Sequence, residues 1–272
     1  MNDPRYAYDH YGDARYYDHA YARYKQDVSH YVSLATELGG PVLELGAGTG
    51  RIAIQTARAG VDVVMVDRTQ TMLDRAEERL AKQPKRVRAR IRLVQADLRE
   101  LALRETFPLI TAPFNVLQHL YTRVDIERAL ATVRRHLAPE GRFAFDVLNP
   151  DPDALRRDPD RFYRCRPITH PKNGERYAYS EAFEYDHDAQ IQTTLMRFES
   201  MESDDVFFVR LTQRQFFPRE LDALLHYNGL EVLERAGGFG GEPVDGLAES
   251  MVFLTRAARR PGDAGASDDG GG

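Results

Sequence analysis

The stretch Val42-Leu43-Glu44-Leu45-Gly46-Ala47-Gly48-Thr49-Gly50 decides the fold, because an apolar segment leads directly into three closely spaced glycines. Its apolar residues predict a short buried β-strand. The glycines allow backbone conformations, and a close approach by a ligand, that a Cβ atom would obstruct. The pattern then favours a helix over residues 51–59, ended by Gly60. The sequence therefore predicts a strand, a ligand-binding turn and a helix.

The composition is that of a soluble globular protein. Of 272 residues, 42% are hydrophobic and 29% are charged, and the formal net charge is -5. This charge gives no general attraction to nucleic acid or to an anionic membrane, so we expect a small or neutral substrate. Cys165 is the only cysteine, which excludes an internal disulfide and a multi-cysteine metal site. The amino-terminal sequence shows neither a signal-peptide pattern nor a membrane-spanning run, so we expect a cytoplasmic protein that does not contact membranes.

Strand-like and helix-like segments alternate from residue 41 to residue 147. Strands are predicted at 41–45, 61–66, 91–95, 109–112 and 142–147, with helices at 71–81 and 124–137. Such alternation is typical of a parallel sheet covered by helices on both faces. Right-handed crossovers place the carboxyl ends of all these strands on one rim, where ligands bind in open α/β sheets.

The pattern changes after residue 150. Strand-like runs at 177–185, 191–198 and 206–216 are separated by turn-prone residues, which predicts an inserted antiparallel β subdomain. We expect five regions: a flexible amino terminus (1–15), a cofactor-binding core (16–150), the β insertion (164–217), the last helix and strands of the core (218–256), and a disordered tail (257–272).

Carboxylates follow two of the predicted strands. Asp67 ends the second strand, about twenty residues after Gly46, where an acidic side chain accepts hydrogen bonds from ribose hydroxyls. Asp97 ends the third strand, and Glu44 precedes the glycines. Singly, either aspartate could equally be a helix cap or a solvated loop residue. Together they favour a nucleoside site.

The glycine spacing limits the kind of nucleoside. Gly46-Ala47-Gly48-Thr49-Gly50 gives G-x-G-x-G, not the G-x-G-x-x-G spacing that binds a pyrophosphate at a helix amino terminus. No Lys-Ser or Lys-Thr follows, so a phosphate-binding loop is also excluded. We therefore expect a nucleoside without a phosphate chain.

Four segments resemble the motifs of class I S-adenosylmethionine-dependent methyltransferases. Residues 42–51 resemble the first motif, 65–68 the acidic strand end, 94–98 the adenine-side motif, and 136–142 the turn before the fifth strand. The resemblance spans about residues 17–255. It implies a Rossmann-like seven-stranded, mostly parallel sheet with helices on both faces and an antiparallel last strand. It also implies S-adenosyl-L-methionine as cofactor and a small-molecule acceptor, with a β insertion similar to that of sugar N-methyltransferases.

The resemblance also assigns site residues. Gly46, Ala47, Gly48 and Gly50 would border the methionine part of the cofactor, Glu44 before them would belong to the same cofactor site, and Asp67 would bind the ribose. Arg68 and Met72 would flank the adenine, Asp97 and Leu98 would contact its edge, and Phe114 would contribute to the same cofactor site. An amino-terminal lid helix would supply Tyr17 and Arg23, with Arg23 facing the cofactor carboxylate.

The acceptor side is less specific. Residues 111–120 follow the fourth strand but lack the Asp/Asn-Pro-Pro-Tyr/Phe pattern of methyltransferases that act on DNA and protein nitrogens, which argues against nucleic acid. His119 is the candidate general base or acceptor-orienting group, because imidazole can take a proton near neutral pH. The alternative is a hydrogen-bonded histidine at a helix start. The histidines show no spacing typical of a metal site.

The β insertion carries many aromatic residues: Phe183, Tyr185, Phe198, Phe207, Phe208 and Phe216. They could form a wall of the acceptor pocket, a homodimer interface, or ordinary packing on the main sheet.

The sequence thus predicts a methyltransferase that transfers a methyl group to N or O of a small molecule. Two alternatives stay open at this point. One is an NAD-dependent oxidoreductase, favoured by Asp67 and disfavoured by the glycine spacing. The other is a non-catalytic nucleoside-binding regulatory protein.

Overall fold

The computed structural model describes residues 7–246 and 248–258. Its helices are α1 (Ala14–Ala20), α2 (Gln26–Leu38), α3 (Ala53–Arg58), α4 (Gln70–Ala81), α5 (Lys85–Arg88), α6 (Arg123–His136), α7 (Pro152–Leu155) and α8 (Pro218–Tyr227). Its strands are β1 (Tyr8–Asp9), β2 (Val42–Leu45), β3 (Val63–Asp67), β4 (Ile91–Gln95), β5 (Phe107–Ala112), β6 (Leu137–Leu148), β7 (Tyr163–Arg164), β8 (Ile168–Thr169), β9 (Arg176–Asp186), β10 (Ile191–Ser200), β11 (Val206–Arg214), β12 (Leu230–Ala236) and β13 (Ser250–Ala257).

The larger sheet has seven strands among the described residues, in the order β12-β13-β6-β5-β2-β3-β4. All neighbours from β6 to β4 are parallel, while β13 is antiparallel to both β6 and β12. This confirms the predicted mostly parallel sheet with an antiparallel last strand. The parallel arrangement brings the carboxyl ends of β2, β3 and β5 to one rim.

The central strands are apolar because helices cover them on both faces. Leu43, Val64, Ile110 and Phe143 face one hydrophobic cluster, which α6 and α8 complete. Val42, Val63 and Met65 face a second cluster with α2 and α3. The side chains alternate between these two layers along each strand.

The second sheet is the predicted β insertion with one unexpected member. Strands β9, β10 and β11 pair antiparallel in sequence order, and β7 and β8 pair with β9. The additional strand is β1, which runs parallel to β11 with Tyr8 opposite Val209 and Asp9 opposite Arg210.

The expectation of a flexible segment up to residue 15 is therefore wrong for its second half. β1 gains hydrogen bonds from β11, and the Asp13 side chain caps α1 by accepting from the amides of Arg15 and Tyr16. Residues 1–6, and 259–272 of the predicted tail, lie outside the described residues. Ala257, placed in that tail by the sequence, is the last residue of β13.

Gln118 joins the two sheets behind the site. Its Nε2 donates to the Arg214 carbonyl at the end of β11 (2.7 Å), and its Oε1 accepts from the Leu148 amide at the end of β6 (3.0 Å). The side chain is fully buried. The insertion is therefore held to the core by a buried polar contact as well as by apolar packing.

Replacing Gln118 by Ala should destabilise the protein by about 1–3 kcal/mol, because the Leu148 amide and the Arg214 carbonyl would lose their partner in a buried place. Urea unfolding measures this loss. Gln70→Ala on the exposed surface of α4 is the control and should change the free energy of unfolding by less than about 0.5 kcal/mol. Equal effects of the two substitutions would contradict the role of Gln118.

Candidate active site

The glycine-rich turn after β2 takes conformations that require glycine. Gly46 has φ +62°, and a Cβ there would lie 2.5 Å from Val116 Cγ2. Gly48 has φ +56°, and a Cβ there would lie 3.2 Å from Met72 Cε. Side chains at these two positions would force the turn away from the segment after β5 or narrow the space beside α4.

A cleft of about 1000 Å³, counting its open side, lies at this rim of the sheet. Most residues predicted for the cofactor and acceptor sites line it: Tyr17, Glu44, Gly46, Ala47, Gly48, Asp67, Arg68, Met72, Asp97, Leu98, Phe114 and His119. The structure thus brings together twelve predicted residues from segments that are far apart in the chain.

Two predicted residues do not line the cleft. Gly50 packs against the core, since a Cβ there would lie 2.9 Å from Met65 Cε. Arg23 is exposed in the turn between α1 and α2 and is not among the residues that line the cleft. α1 ends at Ala20, before Arg23, so the structure does not bring Arg23 together with the other predicted residues.

Arg51 lies in the cleft instead, although it was not predicted from the sequence as a site residue. Its guanidinium forms a two-point ion pair with the fully buried Asp27 of α2 (2.8 and 2.5 Å). It also lies over the ring of Phe114, 4.7 Å from the centroid. Its position directly after the last glycine of the turn was the available signal.

Glu44 is buried beneath the same turn. Burial raises the pKa of its carboxyl to about 8, against the opposing effects of Arg51 and the Ala53 amide. Glu44 is therefore mostly neutral at pH 7, and Asp27 is the carboxylate that balances the charge of Arg51.

Asp67 holds the turn from the end of β3. Its carboxylate accepts from the Gly48 amide (2.8 Å) and from the Thr69 amide (2.8 Å). Burial raises its pKa, and these two amides oppose the shift. A carboxylate has about four acceptor sites, so each oxygen keeps capacity for a ligand hydroxyl.

Asp97 is engaged by Arg99 at the other side of the cleft. The Arg99 amide and Nε donate to Oδ1 (both 2.9 Å), and Nη2 donates to Oδ2 (2.6 Å). This contact holds the pKa of Asp97 below its usual value. Arg99 also reaches Asp125 of α6 (2.5 Å). Only Oδ2 of Asp97 keeps an acceptor site for a ligand amine.

The amino-terminal segment contributes Tyr11 and Tyr17 to the lining of the cleft. Tyr17 packs with Met72 and with Phe114, and all three line the cleft. Asp18 fixes α1 in place, because its carboxylate accepts from Thr49 Oγ1 (2.7 Å), Arg75 Nε (2.7 Å) and Arg79 Nη1 (2.8 Å). α1 is thus tied directly to the glycine-rich turn and to α4.

His119 is half-buried at the end of the short 3₁₀ helix Val116–His119. Its Nε2 lies 2.6 Å from the hydroxyl of Tyr11, which also lines the cleft. Burial, with the nearby charge of Arg68, lowers the pKa of His119 to about 4. The imidazole is therefore neutral near pH 7 and can accept a proton at Nε2.

The hydrogen-bond acceptors and apolar side chains of the cleft fit S-adenosylmethionine. Asp67 and Asp97 retain acceptor sites for hydroxyls and an amine, and Val66, Met72 and Leu98 offer apolar contacts to a flat ring. The close backbone approach at Gly46 and Gly48 leaves room beside the turn for the amino-acid part. In residues 7–246 and 248–258, no three His, Cys, Asp or Glu side chains are grouped to hold a metal ion.

Comparison with known proteins agrees with this site. Residues 42–141 match the model of a methyltransferase domain family. No curated protein matches the sequence significantly. The CcbJ methyltransferase from Streptomyces caelestis is 26% identical, with 92% of this chain and 99% of that chain covered and a TM-score of 0.77.

Two further structures share the fold. CalS10, an amino pentose methyltransferase from Micromonospora echinaspora solved with S-adenosylmethionine, is 20% identical over 90% of this chain and 93% of its own (TM-score 0.64). The glycopeptide N-methyltransferase MtfA is 21% identical over 92% and 93% (TM-score 0.61).

The fold, the cleft and the matched domain define an α/β enzyme that uses a nucleoside cofactor. The chain is an S-adenosylmethionine-dependent methyltransferase, and S-adenosylmethionine is its cofactor. The oxidoreductase and non-catalytic alternatives are thereby set aside. No helix of the described residues is long and apolar enough to cross a membrane.

Asp67→Ala should weaken the binding of S-adenosylhomocysteine by about 10- to 100-fold, because a half-buried carboxylate that holds the turn and would accept ligand hydroxyls is lost. Isothermal titration calorimetry measures this change. The control is Asp62→Ala just before β3, where the carboxylate makes only an exposed ion pair with Arg90. Unchanged affinity in Asp67→Ala would contradict the assigned role.

Proposed function

We propose that this enzyme transfers the methyl group to a nitrogen or oxygen atom of a small-molecule acceptor. The observation that carries the proposal is the cover over the cleft. Tyr11 and Tyr17 of the amino-terminal segment line the cleft, and both contact other lining residues: the Tyr11 hydroxyl lies 2.6 Å from His119 Nε2, and the Tyr17 ring meets that of Phe114 edge-on. A nucleic-acid strand or a folded protein surface would have to displace this whole segment, whereas a small molecule needs only the space beneath it.

The resembling structures support this acceptor class. MtfA acts as an N-methyltransferase on a glycopeptide and CalS10 acts on an amino pentose. An amine on a sugar or similar scaffold is therefore the first acceptor to test.

The reaction asks little acid or base chemistry of the protein. Bound S-adenosylmethionine supplies a methyl group already activated on a sulfonium. The chain must align the acceptor with it and exclude water, and the buried ring of Tyr17 and the partly buried ring of Phe114 serve this purpose. His119 Nε2 takes the proton that the acceptor loses, and to do so it must exchange the Tyr11 hydroxyl for the acceptor.

Incubation with isotopically labelled S-adenosylmethionine and a mixture of metabolites, followed by mass spectrometry, tests the acceptor class. We expect labelled methyl in low-molecular-weight amines or alcohols. Transfer only to the protein or nucleic-acid fraction of the same mixture would contradict the proposal.

His119→Gln should lower kcat by on the order of 10²-fold, as loss of a general base does. The pKa of His119 is about 4. Above that pH the neutral imidazole should act as a base and accelerate the wild-type reaction. Below it the imidazole is protonated, so this acceleration should be lost. A rise of the rate with pH that reflects deprotonation of an amine acceptor should remain in the variant. Stopped assays over roughly pH 3.5–9 measure both features.

The control is His226→Gln, on the exposed side of α8, which should leave kcat unchanged. If kcat of His119→Gln matched wild type at every pH, the proton would leave by another route and His119 would only orient the acceptor.

The homodimer and the cytoplasmic location stay predictions. Three of the six aromatic residues suggested for the dimer interface, Phe198, Phe208 and Phe216, are buried within the chain. Phe198 stacks between Tyr179 and Phe207 and meets Tyr16 of α1. These contacts support the packing alternative for the insertion's aromatic residues.

A further inference from the structure

Two consecutive residues beside the cleft have left-handed backbones although neither is glycine. Phe114 has φ +63° and Asn115 has φ +65°. This conformation is unfavourable for residues with a Cβ, and it persists only where the surroundings enforce it. Such residues concentrate at functional sites, so the group that enforces the bend is of interest.

That group is Asp146, near the end of β6. Its Oδ1 accepts from the Phe114 amide (2.8 Å) and the Tyr31 hydroxyl (2.6 Å), and its Oδ2 accepts from the Asn115 amide (3.1 Å). The side chain is buried. One carboxylate therefore binds the amides of both left-handed residues and is itself fixed by α2.

The side chain of Asn115 does not hold the bend. Its Oδ1 is buried without a hydrogen-bond partner among the described residues. Asparagine often takes a left-handed conformation because its side chain forms a local hydrogen bond. The side-chain oxygen of Asn115 forms no such bond in the described part of the chain, so it does not stabilise this bend. The enforcement comes from across the sheet.

The bend directs the Phe114 ring into the site. The ring lies 4.9 Å from the ring of Tyr21 and 5.3 Å from that of Tyr24, and the Arg51 guanidinium lies 4.7 Å above it. Phe114 and the following Val116 line the cleft. A relaxed backbone at residues 114 and 115 would move the part of the cleft wall that Phe114 and Val116 form.

We propose that Asp146 is a positioning residue for ligand binding, which holds the left-handed bend at Phe114 and Asn115 and thereby shapes the wall between cofactor and acceptor. It touches neither ligand itself and acts through the two amides. The part that concerns the acceptor rests on the proposed function, while the part that concerns the cofactor does not.

The hydrogen bonds that Asp146 accepts from the bend should depend on pH, with a defined sign. Burial raises the pKa of Asp146 to about 6, opposed by the hydrogen bonds from Tyr31, Phe114 and Asn115 and aided by the charge of Asp27. Tyr24 also faces this carboxylate. The ionised group accepts all three hydrogen bonds, whereas protonation puts a hydrogen on one oxygen. The bend should therefore loosen as the pH falls through about 6.

The test measures S-adenosylhomocysteine affinity by calorimetry from pH 5 to pH 8, so no acceptor is needed. Asp146→Asn should bind on the order of tenfold more weakly at pH 7.5, because its amide group presents a donor to one of the two backbone amides. The wild-type loss of affinity between pH 7 and pH 5 should be smaller in this variant.

A second substitution separates positioning from general damage. Asn115→Gly removes the penalty of the left-handed conformation, so it should restore much of the affinity in the Asp146→Asn background while changing wild type little. Tyr31→Phe, which removes one donor and keeps both amide contacts, should cause a smaller loss. The stability control is Thr255→Val, which loses a buried hydrogen bond to Phe143 in β6 without touching the site.

Three results would overturn the inference. The first is unchanged affinity in Asp146→Asn, and the second is an equal loss of affinity in Asp146→Asn with and without Asn115→Gly. The third is an equal loss of affinity in Thr255→Val, compared where its melting temperature equals that of Asp146→Asn. Failure to find a small-molecule product would overturn the proposed function and leave this measurement intact.

Discussion

The hydrogen bond from the Gly48 amide to Asp67 ties the turn after β2 to the end of β3, and the active site depends on it. Parallel pairing of β2 with β3 brings these two chain segments together, with Glu44 opposite Met65. The amide then uses one of the carboxylate's acceptor sites and leaves others for a ligand. One side chain thus fixes the turn and keeps acceptor capacity at the rim of the sheet where a nucleoside would bind.

Buried charge around α2 places the remaining wall of the site. Asp27 pairs with Arg51, and removal of one member of such a buried pair costs about 3–5 kcal/mol. Glu44 stays mostly neutral beside them because of its raised pKa. Asp146 is held by Tyr31, one turn along α2 from Asp27. α2 is therefore the element from which the glycine-rich turn and the bend after β5 are both held, although it contributes no residue to the lining of the cleft.

The part of the site predicted from the sequence is the part that depends on local pattern and on parallel topology. The glycine-rich turn, Asp67 and Asp97 each directly follow an apolar strand, and parallel strands must end on one rim, so their proximity could be inferred. Arg51 was missed because an arginine after a glycine turn has no single local role. Its place is set by Asp27, which is 24 residues away in the chain. Arg23 was expected in the cleft but is not among its lining residues, since nothing in the local sequence shows that α1 ends at Ala20.

The same limit explains the errors at the amino terminus and around β6. β1 has two residues and no apolar alternation, and it exists because β11 offers an unpaired edge some two hundred residues later. Asp146 reads as an interruption of an apolar strand. Its partners, Tyr31, Phe114 and Asn115, come from two other segments. Residues that join distant segments leave little trace in a single sequence.

These long-range contacts lie mostly on the acceptor side, and this has a physical reason. The cofactor is met by strand ends and tight turns, whose positions the sheet determines. The proposed acceptor side is formed by Tyr11 and His119, which come from a short amino-terminal segment and from the loop after β5. That segment contacts the second sheet at two places, through β1 on β11 and through Tyr16 on Phe198, and reaches the glycine-rich turn of the larger sheet through Asp18. Its position is therefore set by residues that are far away in the chain, which local sequence patterns do not show.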